Sequence, residues 1–134
     1  MKILIIGKYP PIEGGVAAQT YWLARGLGEA GHTVAVVTNA GRVEEGYREK
    51  IDFSNHTVHK EYCPKNVSVY SLHKAPPQHI PFSEAYVSRL VNLGLKVIAE
   101  RGADVVYAHY LEPYGVAGLV LKKLAGLPFV IRHA

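Results

Sequence analysis

Two histidines, His109 and His133, each close a short apolar run. Two adjacent glycines, Gly14 and Gly15, follow the proline pair Pro10-Pro11 and precede a helical pattern. Glycine has no Cβ, so a ligand can approach the backbone there. A helix that starts directly behind the pair offers free amide hydrogens and a positive dipole end to an anion. A plain turn that uses glycine for its dihedral angles fits the same residues. An imidazole at a strand end can hydrogen-bond a substrate or move a proton, or it can simply satisfy a backbone group. Two of them at equivalent positions on neighbouring strands shift the balance toward function. Tyr110 adds an aromatic face and a hydroxyl, which suit a sugar ring or a lipid headgroup. Tyr107 and Tyr114 are expected to cluster with it around the end of the fourth strand; tyrosines also commonly pack at a sheet edge, and Tyr107 reads that way. Arg132 can hold an anionic group or form an ordinary surface salt bridge. No third or fourth ligand stands at metal-binding spacing, so no metal is expected. His56 and His59 fall in a polar stretch and read as solvated.

These residues need a scaffold, and its pattern is visible. Ile3 to Ile6 is a continuous apolar run, as a strand buried on both faces requires. A loop from Lys8 to Gly15 follows. From Val16, the spacing of Val16, Thr20, Leu23 and Leu27, with Ala17 and Ala24 beside them, predicts a helix that stops at Gly31. Thr33 to Thr38 is a second buried strand. Residues 42–80 are polar and variable in pattern, with short alternating runs at Thr57–Tyr62 and Val67–Leu72 and a break at Pro76-Pro77. Ser83 can cap the next helix, whose inward face carries Val87, Leu90, Val91, Val97 and Ile98 and which ends at Gly102. Asp104 to His109 is a strand. Pro113 suits the first turn of a further helix with a stripe of Val116, Ala117, Val120, Leu121 and Leu124, closed by Gly126. Phe129 to Arg132 is the last strand. This order is βαβ grammar. It predicts an α/β fold, a Rossmann-like open, mostly parallel sheet with helices on both faces. The Ile3–Ile6 strand belongs in its middle, and the binding edge at the carboxyl ends of the strands. No helix follows the last strand, so the sequence reads as a piece of something longer.

Composition narrows the function classes. With 134 residues, 49% of them hydrophobic and 19% charged, the chain can bury a core and is not of a disordered type. A net charge of +4 tilts its partners toward anions, but no Lys/Arg run resembles a nucleic-acid arm. The single cysteine, Cys63, cannot close an internal disulfide and reads as an idle thiol. No apolar run is long enough to span a bilayer or to serve as a signal peptide. The sequons at Asn55 and Asn66 therefore carry no weight. The expectation is a cytoplasmic protein, with peripheral contact at the inner face of the membrane left open. The dinucleotide fingerprint G-x-G-x-x-G is missing after the first strand, the second strand ends in Thr38-Asn39 rather than an acidic residue, and no P-loop lysine follows the glycines.

Taken together, Pro10-Pro11, Gly14-Gly15-Val16, Leu23-Ala24, Leu27, Gly31-His32-Thr33-Val34, Asp104-Val105-Val106, Ala108-His109, Gly126-Leu127-Pro128-Phe129-Val130 and His133 resemble the N-terminal domain of the GT-B glycosyltransferases of family 4. That resemblance covers both ends of the chain and fades between about Arg42 and Ile80. It implies the single Rossmann-like, acceptor-side domain of a two-domain retaining enzyme, here residues 1–134, with the donor-binding C-terminal domain absent. It implies a nucleotide sugar as co-substrate, no cofactor or metal, and a sugar or lipid acceptor. It further implies that Gly14 and Gly15 belong to the loop whose backbone nears the donor phosphates, that His133 is the histidine beside the reacting sugar, and that His109 is a second-tier histidine. Ala134 follows His133 where many members carry Gly or Asp, a departure at the position that matters most. Two alternatives stand beside this reading: a stand-alone α/β module binding a phosphorylated ligand, and a sugar-nucleotide epimerase. The missing glycine fingerprint counts against the epimerase.

Overall fold

The computed structural model describes residues 1–10, 12, 14–38, 62–72 and 84–133. In chain order these form β1 (Lys2–Ile6), α1 (Gly15–Glu29), β2 (Thr33–Thr38), β3 (Val67–Ser71), α2 (Glu84–Arg101), β4 (Val105–His109), a wide irregular turn (Leu111–Gly115), α3 (Val116–Ala125) and β5 (Phe129–Arg132). The Ser83 cap, the Pro76-Pro77 break, His56, His59, Asn55 and all but the last residue of the Thr57–Tyr62 run lie outside the described residues. Tyr62 itself is helical rather than extended.

All five strands are parallel, in the order β3-β2-β1-β4-β5. As the unbroken apolar run predicts, β1 is central: Leu4 lies between Ala35 and Val106, and Ile5 between Val36 and Tyr107. Leu4, Ile5 and Ile6 are at most 1% exposed, each contributing about 1.5–3 kcal/mol of burial. Strand alternation sends Ile3, Ile5, Val34, Val36 and Val67 to the face covered by α1. Leu4, Ile6, Ala35, Val37 and Val106 go to the opposite face, where α2 and α3 bring Leu90, Val91, Val97, Ala117 and Leu121. The helices end where glycine was expected to end them, with Gly31, Gly102 and Gly126 at positive φ.

Two helices are phased differently from the sequence expectation. The buried line of α1 is Ala17, Thr20, Ala24 and Gly28, with Leu23 and Leu27 packed at its flank. The small residues let the helix axis approach the sheet, and the larger ones reach down beside it. In α3 the buried residues are Ala117, Gly118 and Leu121, while Val116 and Leu124 are exposed. A Cβ on Gly118 would collide with the Phe129 ring of β5. Close approach thus decides the contact face of both helices, and the widest apolar stripe does not.

Gly28 marks the tightest point of the α1 packing. A Cβ there would run into the Lys65 carbonyl oxygen and meet a Val67 methyl at 3.2 Å. Asn66, which donates to the Gly28 carbonyl at 3.0 Å, fixes the same junction. Backbone cannot yield as a side chain can, so Gly28→Ala should destabilise the chain by about 1–3 kcal/mol. Gly26 is on the same helix, and a Cβ added to it would meet nothing within 4 Å. Its substitution by Ala should stabilise the chain by up to about 1 kcal/mol. Urea denaturation of the two variants checks this, and equal midpoints would contradict the packing argument.

Candidate functional site

At the carboxyl edge of the sheet, strand register builds one row of residues. Thr38 pairs with Ser71, and His109 pairs with Arg132. Gly7 follows Ile6, which pairs with Val37 and Ala108, so Gly7 lies between Thr38 and His109. Counting in twos from Ile5, Val36 and Tyr107 places this row on the α1 face. It is where the apolar face of the sheet turns polar.

His109 is 1% exposed. Its Nδ1 lies 3.0 Å from the Thr20 hydroxyl, a contact joining β4 to the second turn of α1. Thr20 Oγ1 also donates to the Val16 carbonyl at 2.8 Å, the back-bond that a buried threonine makes in a helix. Gly7 leaves room for this meeting: a Cβ on it would stand 3.3 Å from His109 Cβ and 3.6 Å from Thr20 Oγ1. The Tyr107 ring sits edge-on to the imidazole, 6.2 Å between centroids. Burial, and secondarily the Arg132 guanidinium, push the His109 pKa below its ordinary value, so the ring is neutral. Its Nε2 is buried without a hydrogen-bond partner among the described residues, as is the Thr38 hydroxyl.

His133 is placed quite differently. The register sets Arg132, not His133, opposite His109, so the two histidines are not equivalent. One residue past β5, His133 is exposed and lies parallel to the Tyr110 ring, 6.2 Å between centroids and 13° between planes. Tyr110 adopts φ 83°, donates its amide to the Arg132 carbonyl at 2.8 Å and accepts from the Gly115 amide at 3.0 Å. The turn after β4 thereby holds Tyr110 and His133 as a stacked pair, an aromatic platform at the open edge, with exposed Arg132 beside it. The three tyrosines do not cluster: Tyr107 packs on the α1 side, Tyr114 on the α2–α3 side, and Tyr110 is 41% exposed.

The glycine loop also reaches this edge. Tyr9, fully buried, anchors its start by donating its hydroxyl to the Tyr62 carbonyl at 2.5 Å. Gly14 caps α1 with φ 125° and ψ 164°, a region open essentially to glycine alone. Gly15 has no positive φ and begins the helix. A Cβ on either glycine would meet nothing within 4 Å. The first intrahelical bond of α1 runs from the Ala18 amide to the Gly14 carbonyl, so the amides of Gly15, Val16 and Ala17 have no partner within the helix.

The register thus brings Gly7, Thr20, Thr38, His109 and Arg132 to one face, and the Tyr110 turn sets His133 against Tyr110. Thr20 and Thr38 were not singled out from the sequence. A threonine inside an otherwise small and apolar helix stripe was the available sign for Thr20. Among the described residues no group of three or more His, Cys, Asp or Glu could hold a metal ion, and no helix is long and apolar enough to cross a membrane. Cys63 is partly buried, which raises its thiol pKa.

Comparison with known proteins agrees with this architecture. Two crystal structures of the C-terminal domain of a hydrogenase from Pyrococcus furiosus are similar in fold. One, of residues 83–215, has a TM-score of 0.59 at 17% identity and covers 98% of this chain and 90% of that one. The other, of residues 78–226, has a TM-score of 0.54 at 18% identity, covering 99% and 91%. At such identities the likeness is one of fold alone. No curated protein matches the chain. The glycosyl transferase 4-like domain family matches residues 14–132, from the cap of α1 to the end of β5, and the chain belongs to that family.

Proposed function

We propose that this chain is the N-terminal, acceptor-side domain of a GT-B enzyme that moves a sugar from a nucleotide-sugar donor to a sugar or lipid acceptor with retention of configuration. Gly14 and Gly15 bring backbone amides near the donor diphosphate. His133 stands beside the reacting sugar. Tyr110 and Arg132 line the same edge, and His109 supports it from below. The observation that carries this reading is the start of α1 at the carboxyl edge. It has a glycine cap, open space where a Cβ on Gly14 or Gly15 would stand, and amides without helical partners.

Those amides and the helix dipole would stabilise charge on the leaving diphosphate as it develops, together with groups from a second domain. Preorganised amides cost nothing to reorient during the reaction, so this part of the stabilisation needs no resident metal or cofactor. The Tyr110–His133 platform suits a sugar ring, whose C–H faces pack on aromatic planes while its hydroxyls reach polar groups at the rim. We assign the parent enzyme to the cytoplasm, with peripheral contact at the inner face of the membrane left open.

In the parent enzyme, Gly15→Val should lower kcat/KM at least about tenfold, equivalent to about 1.4 kcal/mol in the transition state. The melting temperature should stay within about 2 °C, because the Cβ enters open space and Gly15 needs no positive φ. His133→Ala should likewise lower turnover with little loss of stability, since an exposed side chain carries little packing. Steady-state assays with UDP- and GDP-sugars and thermal melts on the same preparations check both variants. Normal turnover in both would remove the edge from the mechanism.

The neutral state of His109 has a sign that can be checked. Its pKa is lowered on folding from the ordinary value of about 6.5, so below that pH the unfolded chain binds the extra proton more readily. The stability contributed by the neutral ring is complete above about pH 6.5 and is lost as the pH falls through the folded pKa. The urea midpoint should therefore fall between pH 7 and pH 5, and His109→Gln should flatten that slope. An unchanged slope in the variant would mean that His109 is not buried neutral.

A further inference from the structure

The hydrogen bonds around His109 have a direction. Thr20 has one hydroxyl hydrogen, and the Val16 carbonyl takes it at 2.8 Å. With that hydrogen directed at Val16, Thr20 Oγ1 is left to accept toward His109, 3.0 Å away, which favours the tautomer with the ring hydrogen on Nδ1. In a neutral imidazole that leaves Nε2 with a bare lone pair. The same Nε2 is buried and has no hydrogen-bond partner among the described residues. A buried acceptor without a donor is costly, about 1–3 kcal/mol for a typical polar group, and calls for an occupant. The residue ends β4 at the carboxyl edge of the sheet, one position before the exposed Tyr110.

We propose that Val16, Thr20 and His109 form a directed relay that fixes His109 in the Nδ1–H tautomer, making Nε2 the acceptor site for a single O–H donor and not for a phosphate. The occupant is a bound water or a hydroxyl of the sugar substrate, and both share the one feature the site selects. A phosphate oxygen presents lone pairs to a lone pair and is repelled. Burial, and after it the Arg132 guanidinium, opposes protonation of the ring, so it does not readily become a cation to receive the anion. This divides labour at the edge: amides of α1 for anionic groups, Nε2 for a neutral hydroxyl. His109 therefore differs from His133 in chemistry as well as in exposure. Only the substrate source of the hydroxyl rests on the glycosyltransferase reading.

The test is a long-range proton–nitrogen correlation spectrum of the nitrogen-15-labelled chain at pH 7, with a high-resolution crystal structure of the same chain. The expected spectrum has His109 Nδ1 at a protonated shift and Nε2 at an unprotonated one. Thr20→Val should move the ring away from this single tautomer, and Thr20→Ser should restore it. If Thr20→Val fails to fold, the native spectrum decides alone. A wild-type ring with Nε2–H, or with both nitrogens protonated, overturns the relay. Two probes then address the occupant, methyl α-glucopyranoside and inorganic pyrophosphate, each titrated into the labelled chain. An ordered oxygen within hydrogen-bond distance of Nε2 that persists with the glycoside present assigns the site to water. A glycoside-dependent shift of Nε2 assigns it to a sugar hydroxyl. Neither an oxygen nor a shift overturns the acceptor site, as does protonation of His109 on adding pyrophosphate. Absence of sugar-nucleotide turnover in the parent enzyme would overturn the functional reading and leave the tautomer and the water arm standing.

Discussion

The carboxyl edge takes its shape from the pairing of β1 with a parallel neighbour on each side. Because both faces of β1 are covered, its register against β2 and β4 is fixed by side-chain alternation: a slip of one residue would exchange the two cores. That register carries past Ile6 to Gly7, where the strand needs no side chain and its neighbours do. Thr38 arrives from one side and His109 from the other. Thr20 descends from above, to within 3.6 Å of where a Gly7 Cβ would be. The polar row is thus a consequence of hydrophobic pairing several residues earlier in each strand.

Much of this architecture was legible in the residues. The unbroken Ile3–Ile6 run, the valine-rich Thr33–Thr38 strand and the glycine punctuation located the strands, the helices and their ends, and β1 took the central place its composition required. The phase of α1 and α3 was not legible in the same way. Periodicity ranks residues by hydrophobicity, whereas these helices settle by how closely their backbones approach the sheet. Ala17, Ala24, Gly28, Ala117 and Gly118 permit that approach because they are small. A ranking that favours Leu and Val passes over them.

The site was legible in part. Glycines before a helix and histidines at strand ends are local signals, and all of them lie at the carboxyl edge of the sheet. What distinguishes His109 from His133 is non-local. One is covered by a helix whose threonine lies 89 positions away in sequence, and the other stands past the last strand against an aromatic ring. Thr20 and Thr38 have no local chemistry to announce them, and their importance lies in burial that only the assembled sheet creates.

Trp22 is the only tryptophan in the sequence. It sits on the outer side of α1, 61% exposed, with the Arg25 guanidinium 5.3 Å from its ring centre and Tyr21 edge-on to it. Its indole is already largely hydrated in the native state. Intrinsic fluorescence therefore reports the local surroundings of this helix rather than the state of the core, and loss of the sheet would change its emission colour little. Among the described residues the deeply buried tyrosine rings are Tyr9 and Tyr114, one on each side of the sheet. The optical signature of the intact fold accordingly lies in near-ultraviolet tyrosine dichroism, with contributions from both cores.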